Sequence, residues 1–356
     1  MEVRWSLFLL VPALMAPGLS SWAAPDEPDD PPPLELPEDG YAAYKKFADA
    51  RGGDCVGPAG DLETPMDIEA GGHRYRLHGH RLTQLDTDKD KVLRVGVISA
   101  TKDDRAETLA AMAELISWLK RKKMDVLVVN GDIASHEIDV DEKIFPALAA
   151  SGVLTIVVAG NTESCGYFNR AATKVAAQHP NLINGNYVRQ IELEDGVLYT
   201  LPGYHDRRFV HTSGAAHYDK DDLFELRRMI RAGPGPKILV SHGPPKMKGK
   251  KAIDIASGAG HVGDPAMTDV IQGAKVKFGI FGHILEAGGR GSNLKGNRRR
   301  KPKKWHKSLY VNAGTANTDP WTMLNGKTSY GMGLLYEIKG TKARYQVRRL
   351  KEPVRD

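Results

Sequence analysis

The chain has 356 residues, 41% hydrophobic and 26% charged, enough apolar material for a sizeable core; this excludes a wholly disordered chain, a fibrous repeat and a multi-span membrane protein. Two cysteines, Cys55 and Cys165, are too few for a disulfide scaffold or a cysteine-rich zinc module. The net charge of +6 conceals an asymmetry, because residues 1–40 hold eight acidic side chains against Arg4 alone, leaving +13 on the remainder.

Residues 1–23 read as a secretory signal peptide. Arg4 precedes an apolar run, and the small residues Ser21 and Ala23 stand at cleavage positions. Pro12, Pro17 and Gly18 break that run, so it is a poor membrane span, and the expected location after cleavage is the periplasm or the extracellular space, with no transmembrane segment left. Residues 24–40 form an acidic, Pro-rich linker with little to bury. Residues 41–91 are an N-terminal extension, with a short helix expected over 41–50. In it, His73, His78 and His80 fall on one expected strand, where an exposed hairpin face is the simpler reading than a metal pair. The run Asp86–Thr87–Asp88–Lys89–Asp90 has the start of a calcium loop but lacks its glycine and its closing glutamate, and so reads as a turn.

From residue 92 the pattern alternates between apolar strands and amphipathic helices. Strands are expected over 93–99, 125–130, 153–159, 187–193, 197–201, 237–241, 277–281, 309–312 and 333–338. Helices are expected over 105–122, 141–151 and 221–232, the first opened by a capping box of Asp104 and Glu107. This order predicts an α/β domain over 92–341, covered on both faces, followed by a tail at 342–356.

Ligands in such folds gather where loops leave the carboxyl ends of strands. Five strand ends read Ser99–Ala100–Thr101–Lys102, Asn130–Gly131–Asp132, Gly160–Asn161–Thr162–Glu163, Ser241–His242–Gly243–Pro244–Pro245 and Gly282–His283–Ile284–Leu285–Glu286. Singly, each polar residue has a structural role open to it, as a cap, a turn former or a core histidine. Together Asp132, Asn161, His242 and His283 make an N/O ligand set suited to a divalent transition ion.

The series resembles the calcineurin-like metallophosphoesterases over roughly residues 93–338, with supporting text in Gly260–His261–Val262–Gly263 and Val311–Asn312–Ala313–Gly314. The resemblance implies a four-layer α/β/β/α sandwich of two mixed sheets flanked by helices. It also implies two metals sharing the carboxylate at Asp132, one of them completed by Asn161, His242 and His283. The residues for the other ion are missing: Ala100 and Lys102 replace a carboxylate and an imidazole, and Leu285 replaces the second histidine of the last block. Thr162 replaces a histidine that helps the leaving group depart. Hence a single metal ion (Zn, Mn or Fe) or none is expected, with Lys102 offsetting phosphate charge and His136 or His205 standing in as acid.

Two loops concentrate the positive charge. Lys246, Lys248, Lys250 and Lys251 follow His242, and the stretch 295–307, with Arg298, Arg299, Arg300 and Lys301, follows His283. They account for twelve of the thirteen excess charges and suit an anionic phosphoester or a cell-envelope polymer. Trp305 alone is a thin basis for stacking nucleic-acid bases. Cys55 and Cys165 can pair in an oxidising compartment, and the sequence leaves that pairing open. Two functions remain at this point: a slow metal-dependent phosphoric ester hydrolase, or a non-catalytic protein that binds an anion on the same fold.

Overall fold

The structure is a computed structural model and describes residues 55–57, 65–87, 90–133, 138–211 and 214–353. The expected signal peptide, the linker, the helix 41–50 and His136 lie outside the described residues.

Two mixed sheets form the centre. The six-stranded sheet runs β19 (Lys342–Arg349), β18 (Met332–Lys339), β4 (Leu93–Ile98), β5 (Val126–Asn130), β6 (Leu154–Val158), β7 (Leu182–Asn184). Strands β4 to β7 are parallel, and the β18–β19 hairpin is added antiparallel at β4. The nine-stranded sheet runs β1 (Met66–Ala70), β2 (His73–His78), β3 (Arg81–Gln84), β8 (Gln190–Leu193), β9 (Gly196–Leu201), β10 (Lys237–Ser241), β13 (Phe278–Phe281), β15 (Leu309–Asn312), β14 (Gly291–Ser292). Two short pairs, β11 (Ile255–Ala256) with β12 (Gly260–His261) and β16 (Trp321–Thr322) with β17 (Thr328–Ser329), decorate the loops.

Strand alternation builds the layers. Val95, Val97, Val126 and Val128 of one sheet share a core with Leu198, Val240, Ile280 and Val311 of the other, so the sheets pack face to face. The alternate residues Ile98, Leu127 and Val129 point outward into a second core with α1 (Ala106–Arg121), α2 (Ile138–Ala149) and α3 (Cys165–Ala176). On the opposite side Val197, Tyr199, Leu239 and Tyr310 pack against α4 (Lys220–Ala232) and α5 (Pro265–Gly273). The result is the expected α/β/β/α sandwich.

Several local expectations change. The tail at 342–356 supplies β19, whose alternating buried positions Ala343 and Tyr345 join the inter-sheet core. The extension likewise supplies β1 to β3 to the larger sheet. His80 is not on the strand with His73 and His78, because β2 ends at His78 and His80 lies buried in the turn before β3. Nor does Asp104 form a capping box. Asp103 instead accepts from Arg105 N (3.2 Å) and Thr108 Oγ1 (2.6 Å), and Asp104 bonds Lys143 Nζ (2.6 Å), since Arg105 takes the cap position.

A true capping box opens α4. Asp219 accepts from Asp222 N (3.1 Å), and Asp222 accepts from Asp219 N (2.9 Å). Burial, helped by the like charges of Asp219 and Glu225, pushes the Asp222 carboxyl up to about 6. Its folded pKa exceeds the unfolded value, so ionisation costs stability above pH 6 and costs nothing below about pH 4. Asp222→Asn keeps an acceptor for the cap and is expected to gain about 1 kcal/mol at pH 8 and little at pH 4. Thermal melts at the two pH values check this; an equal change at both would refute it.

Candidate metal centre

Four strand ends from two sheets meet at one point. Asp132 follows β5 and Asn161 follows β6, neighbours in the smaller sheet, while His242 follows β10 and His283 follows β13, neighbours in the larger one. Gly131 (φ +75°) makes the first turn and has no Cβ to strike the His242 ring. Asp132 (φ +55°) and His283 (φ +63°) are themselves left-handed, a conformation in which non-glycine residues concentrate at functional sites.

The donor atoms converge. His242 Nε2 lies 3.1 Å from Asp132 Oδ1 and 3.0 Å from Asn161 Oδ1, and His283 Nδ1 lies 2.8 Å from Asn161 Oδ1. Ligand atoms of Asp132, His242 and His283 all fall within 4.8 Å of one another. The outer contacts aim them. Asn130 O, 3.0 Å from His242 Nδ1, can only accept, so that nitrogen carries the proton and Nε2 faces the centre. Asn161 Nδ2 donates to Phe209 O (2.6 Å), which turns its Oδ1 inward.

Two oxygens and two nitrogens with lone pairs directed at one point need a cation or a proton between them. Charges in the site agree. Burial alone would raise the Asp132 carboxyl, but His242 and then Lys102 outweigh it and hold it well below the usual carboxylate range. Burial alone would lower His242, and the Asp132 carboxylate outweighs it, raising the imidazole above its ordinary value. Burial, reinforced by the charge of His242, pushes His283 down to about 3, so it offers a lone pair at neutral pH. The set fits a divalent transition ion.

On the far side of Asp132 stands an ammonium. Lys102 Nζ lies 3.6 Å from Asp132 Oδ2, and Thr162 Oγ1 lies 3.2 Å from Oδ1. Ala100 is buried at φ +52° and Leu285 is buried beside the same loops, so neither position offers a ligand atom. His205 adjoins Tyr204 (ring centroids 4.4 Å), and its Nδ1 is buried without a partner among the described residues. Burial lowers the pKa of the His205 imidazole.

Other contributors carry no sequence signal of their own. Glu163, at the end of the Gly160–Asn161–Thr162–Glu163 turn, is buried and accepts from Gly160 N (2.6 Å) and from Ile133 N, tying the Asp132 and Asn161 loops together. Tyr204 stacks on His283 (3.9 Å between centroids, 30° tilt), and Phe209 meets the same ring edge-on at 6.1 Å.

The two basic loops lie side by side. Lys246, Lys248, Lys250 and Lys251 are exposed, as are Arg298, Arg299 and Lys301, with Arg300 half-buried. The loops bond to each other through Lys251 N to Gly296 O (2.8 Å) and Lys248 N to Lys295 O (3.4 Å). Lys246 acts electrostatically on His205, beside the metal centre. One face of Trp305 is covered by Arg344, 4.6 Å from its ring centre. Cys55 and Cys165 are disulfide-bonded, with Cα atoms 5.3 Å apart, and Cys165 opens α3 four residues after Asn161.

Sandwich and site together define a metallophosphatase-type fold. Residues 73–287 match the sequence profile of the calcineurin-like phosphoesterases, and the chain belongs to that family. One solved structure aligns at a TM-score of 0.54 with 17% identity, over 72% of this chain and 98% of its own, a likeness of fold. A dimetal phosphatase from Danio rerio aligns at 0.43 with 12% identity, over 74% of this chain and 100% of its own. GAP50, the anchor in the inner membrane complex of Plasmodium, aligns at 0.45 with 10% identity, over 74% and 90%. No curated protein sequence matches the chain. Among the described residues, no helix is long and apolar enough to cross a membrane.

Proposed function

We propose that this is an exported phosphoesterase with one metal half-site, acting slowly on an anionic phosphoester. The observation that carries the reading is the ammonium of Lys102 beside the second oxygen of Asp132, on the side where no further ligand is present among the described residues. Asp132, Asn161, His242 and His283 would hold one Zn, Mn or Fe ion. Such an ion supplies Lewis acidity toward a phosphoryl oxygen and toward water.

The chain's own groups do the rest. Lys102 draws a phosphoryl oxygen toward Asp132 and balances its charge. Thr162 orders Asp132 by a hydrogen bond but is too weak an acid to protonate a departing alkoxide. Burial lowers the His205 imidazole, which disfavours the imidazolium that a general acid needs. Leaving-group departure is therefore poorly assisted, which costs about two to four orders of magnitude in rate. The disulfide suits an oxidising compartment and supports export to the periplasm or beyond.

The same ammonium favours a second reading, a non-catalytic protein that binds an anion, because a fixed cation attracts phosphate without activating water. Turnover of a generic aryl phosphodiester with added Mn or Zn separates the two. Lys102→Ala is expected to raise KM for the diester about tenfold while Lys102→Arg recovers part of it. Metal binding without any turnover would leave only the binding reading.

A further inference from the structure

A second cluster of positive charge lies apart from the metal centre, and none of the four metal ligands contributes to it. A cavity of about 100 Å3 is lined by Lys250, Lys251, Arg290, Arg299 and Arg349, with Glu286 as its single acid. The cluster is built by backbone pairing. Arg299 pairs with Ser292 antiparallel, and Arg300 N bonds Gly291 O (2.8 Å), which places Arg299 diagonally across from Arg290 on the same face. Gly289 (φ +72°) leaves space that Arg349 enters, where its Nη2 donates to Gly288 O (3.1 Å).

Like charges on facing strands oppose folding unless something lies between them. Arg290 is half-buried, and no ion pair to Arg290 or Arg299 occurs among the described residues. Glu286 accepts from Ser257 N (2.6 Å), and its one carboxylate stands against the five cationic side chains of the cavity. Burial and then the charge of Arg299 disfavour the Arg290 cation, yet a guanidinium does not discharge in a protein. The cluster therefore carries an electrostatic cost that a multiply charged anion would remove.

We propose that this cavity is a second oxyanion site, in which the guanidinium forks of Arg290 and Arg299 bind a phosphate group of a soluble anion. At about 100 Å3 the space has room for a tetrahedral phosphate group among these side chains. The adjoining Lys250 and Lys251 then meet a second phosphate, so a diphosphate fits better than a single one. The site does not rest on the metal centre and would serve either reading of the function, by anchoring a part of the ligand that does not react.

Titration calorimetry with inorganic pyrophosphate on the full chain tests this. Binding is expected in the wild type and in His242→Ala, where the metal centre is disabled. Arg290→Gln or Arg299→Gln is expected to weaken it roughly tenfold to a hundredfold, and Arg290→Lys by less. Melting temperature reports whether each variant is folded; should Arg290→Gln not fold, Arg299→Gln, on an exposed position, reads the same site. Unchanged affinity in both glutamine variants would overturn the proposal, as would loss of all binding in His242→Ala. Binding only to vesicles containing phosphatidic acid would overturn it too, since the ligand would then be a membrane surface.

Discussion

Replacing His242 with alanine is expected to abolish metal retention and, with it, any phosphodiester turnover. Its Nε2 lies within 3.1 Å of both Asp132 Oδ1 and Asn161 Oδ1, so its removal leaves three ligands around a hole. Elemental analysis of the purified protein provides the measurement: about one equivalent in the wild type and a trace in the variant. Full occupancy in the variant would remove the basis for the centre described above. The same imidazole sets a pH dependence. The Asp132 carboxylate raises its pKa, so below that value a proton occupies the position a cation needs. Affinity is expected to rise up to tenfold per pH unit as pH climbs toward that pKa and to level off above it. A neutral His283, held down to about 3, adds no dependence in the same range.

Loss of the Cys55–Cys165 bond is expected to be the largest stability effect of a single substitution. The two residues are 110 positions apart, and a closed loop of that length stabilises by about 5 kcal/mol in the chain-entropy model. Against a typical total of roughly 5–15 kcal/mol, Cys55→Ser should lower the melting temperature on the order of 10 °C. Both sulfurs are buried, so the substitution is a cleaner probe than a reductant. A variant that melts with the wild type would mean that the bond contributes nothing. Because Cys165 lies four residues after Asn161, the variant is also expected to hold its metal less tightly.

Much of this was legible in the sequence for a simple reason. Parallel strands buried on both faces are continuous apolar runs, and polar residues at their ends stand out, so β5, β6, β10 and β13 announced Asp132, Asn161, His242 and His283. What escaped depends on cross-chain geometry. The strand Lys342–Arg349 alternates apolar with charged residues and resembles a solvated tail until its partner Met332–Lys339 is known. Tyr204 meets His283 only because loops after different strands converge. Arg290 is isolated in sequence and Arg349 sits in the C-terminal strand far along the chain, and the short strand at Gly291–Ser292 and the loop glycines bring them to the lysine-rich stretch. Charge density located the two basic loops but not the cavity between them, since it counts cations without their facing directions.

The division of the ligands between the sheets has a mechanical result. Asp132 and Asn161 hang from one sheet and His242 and His283 from the other, so an ion held by all four rivets the halves of the sandwich together. Unfolding must pull that rivet out, and at a free ion level a thousand times its dissociation constant the sandwich gains about 4 kcal/mol. An ion retained for that purpose would be kept even by a descendant that no longer cleaved anything. Chelation should then lower the melting temperature whether or not the protein turns over an ester.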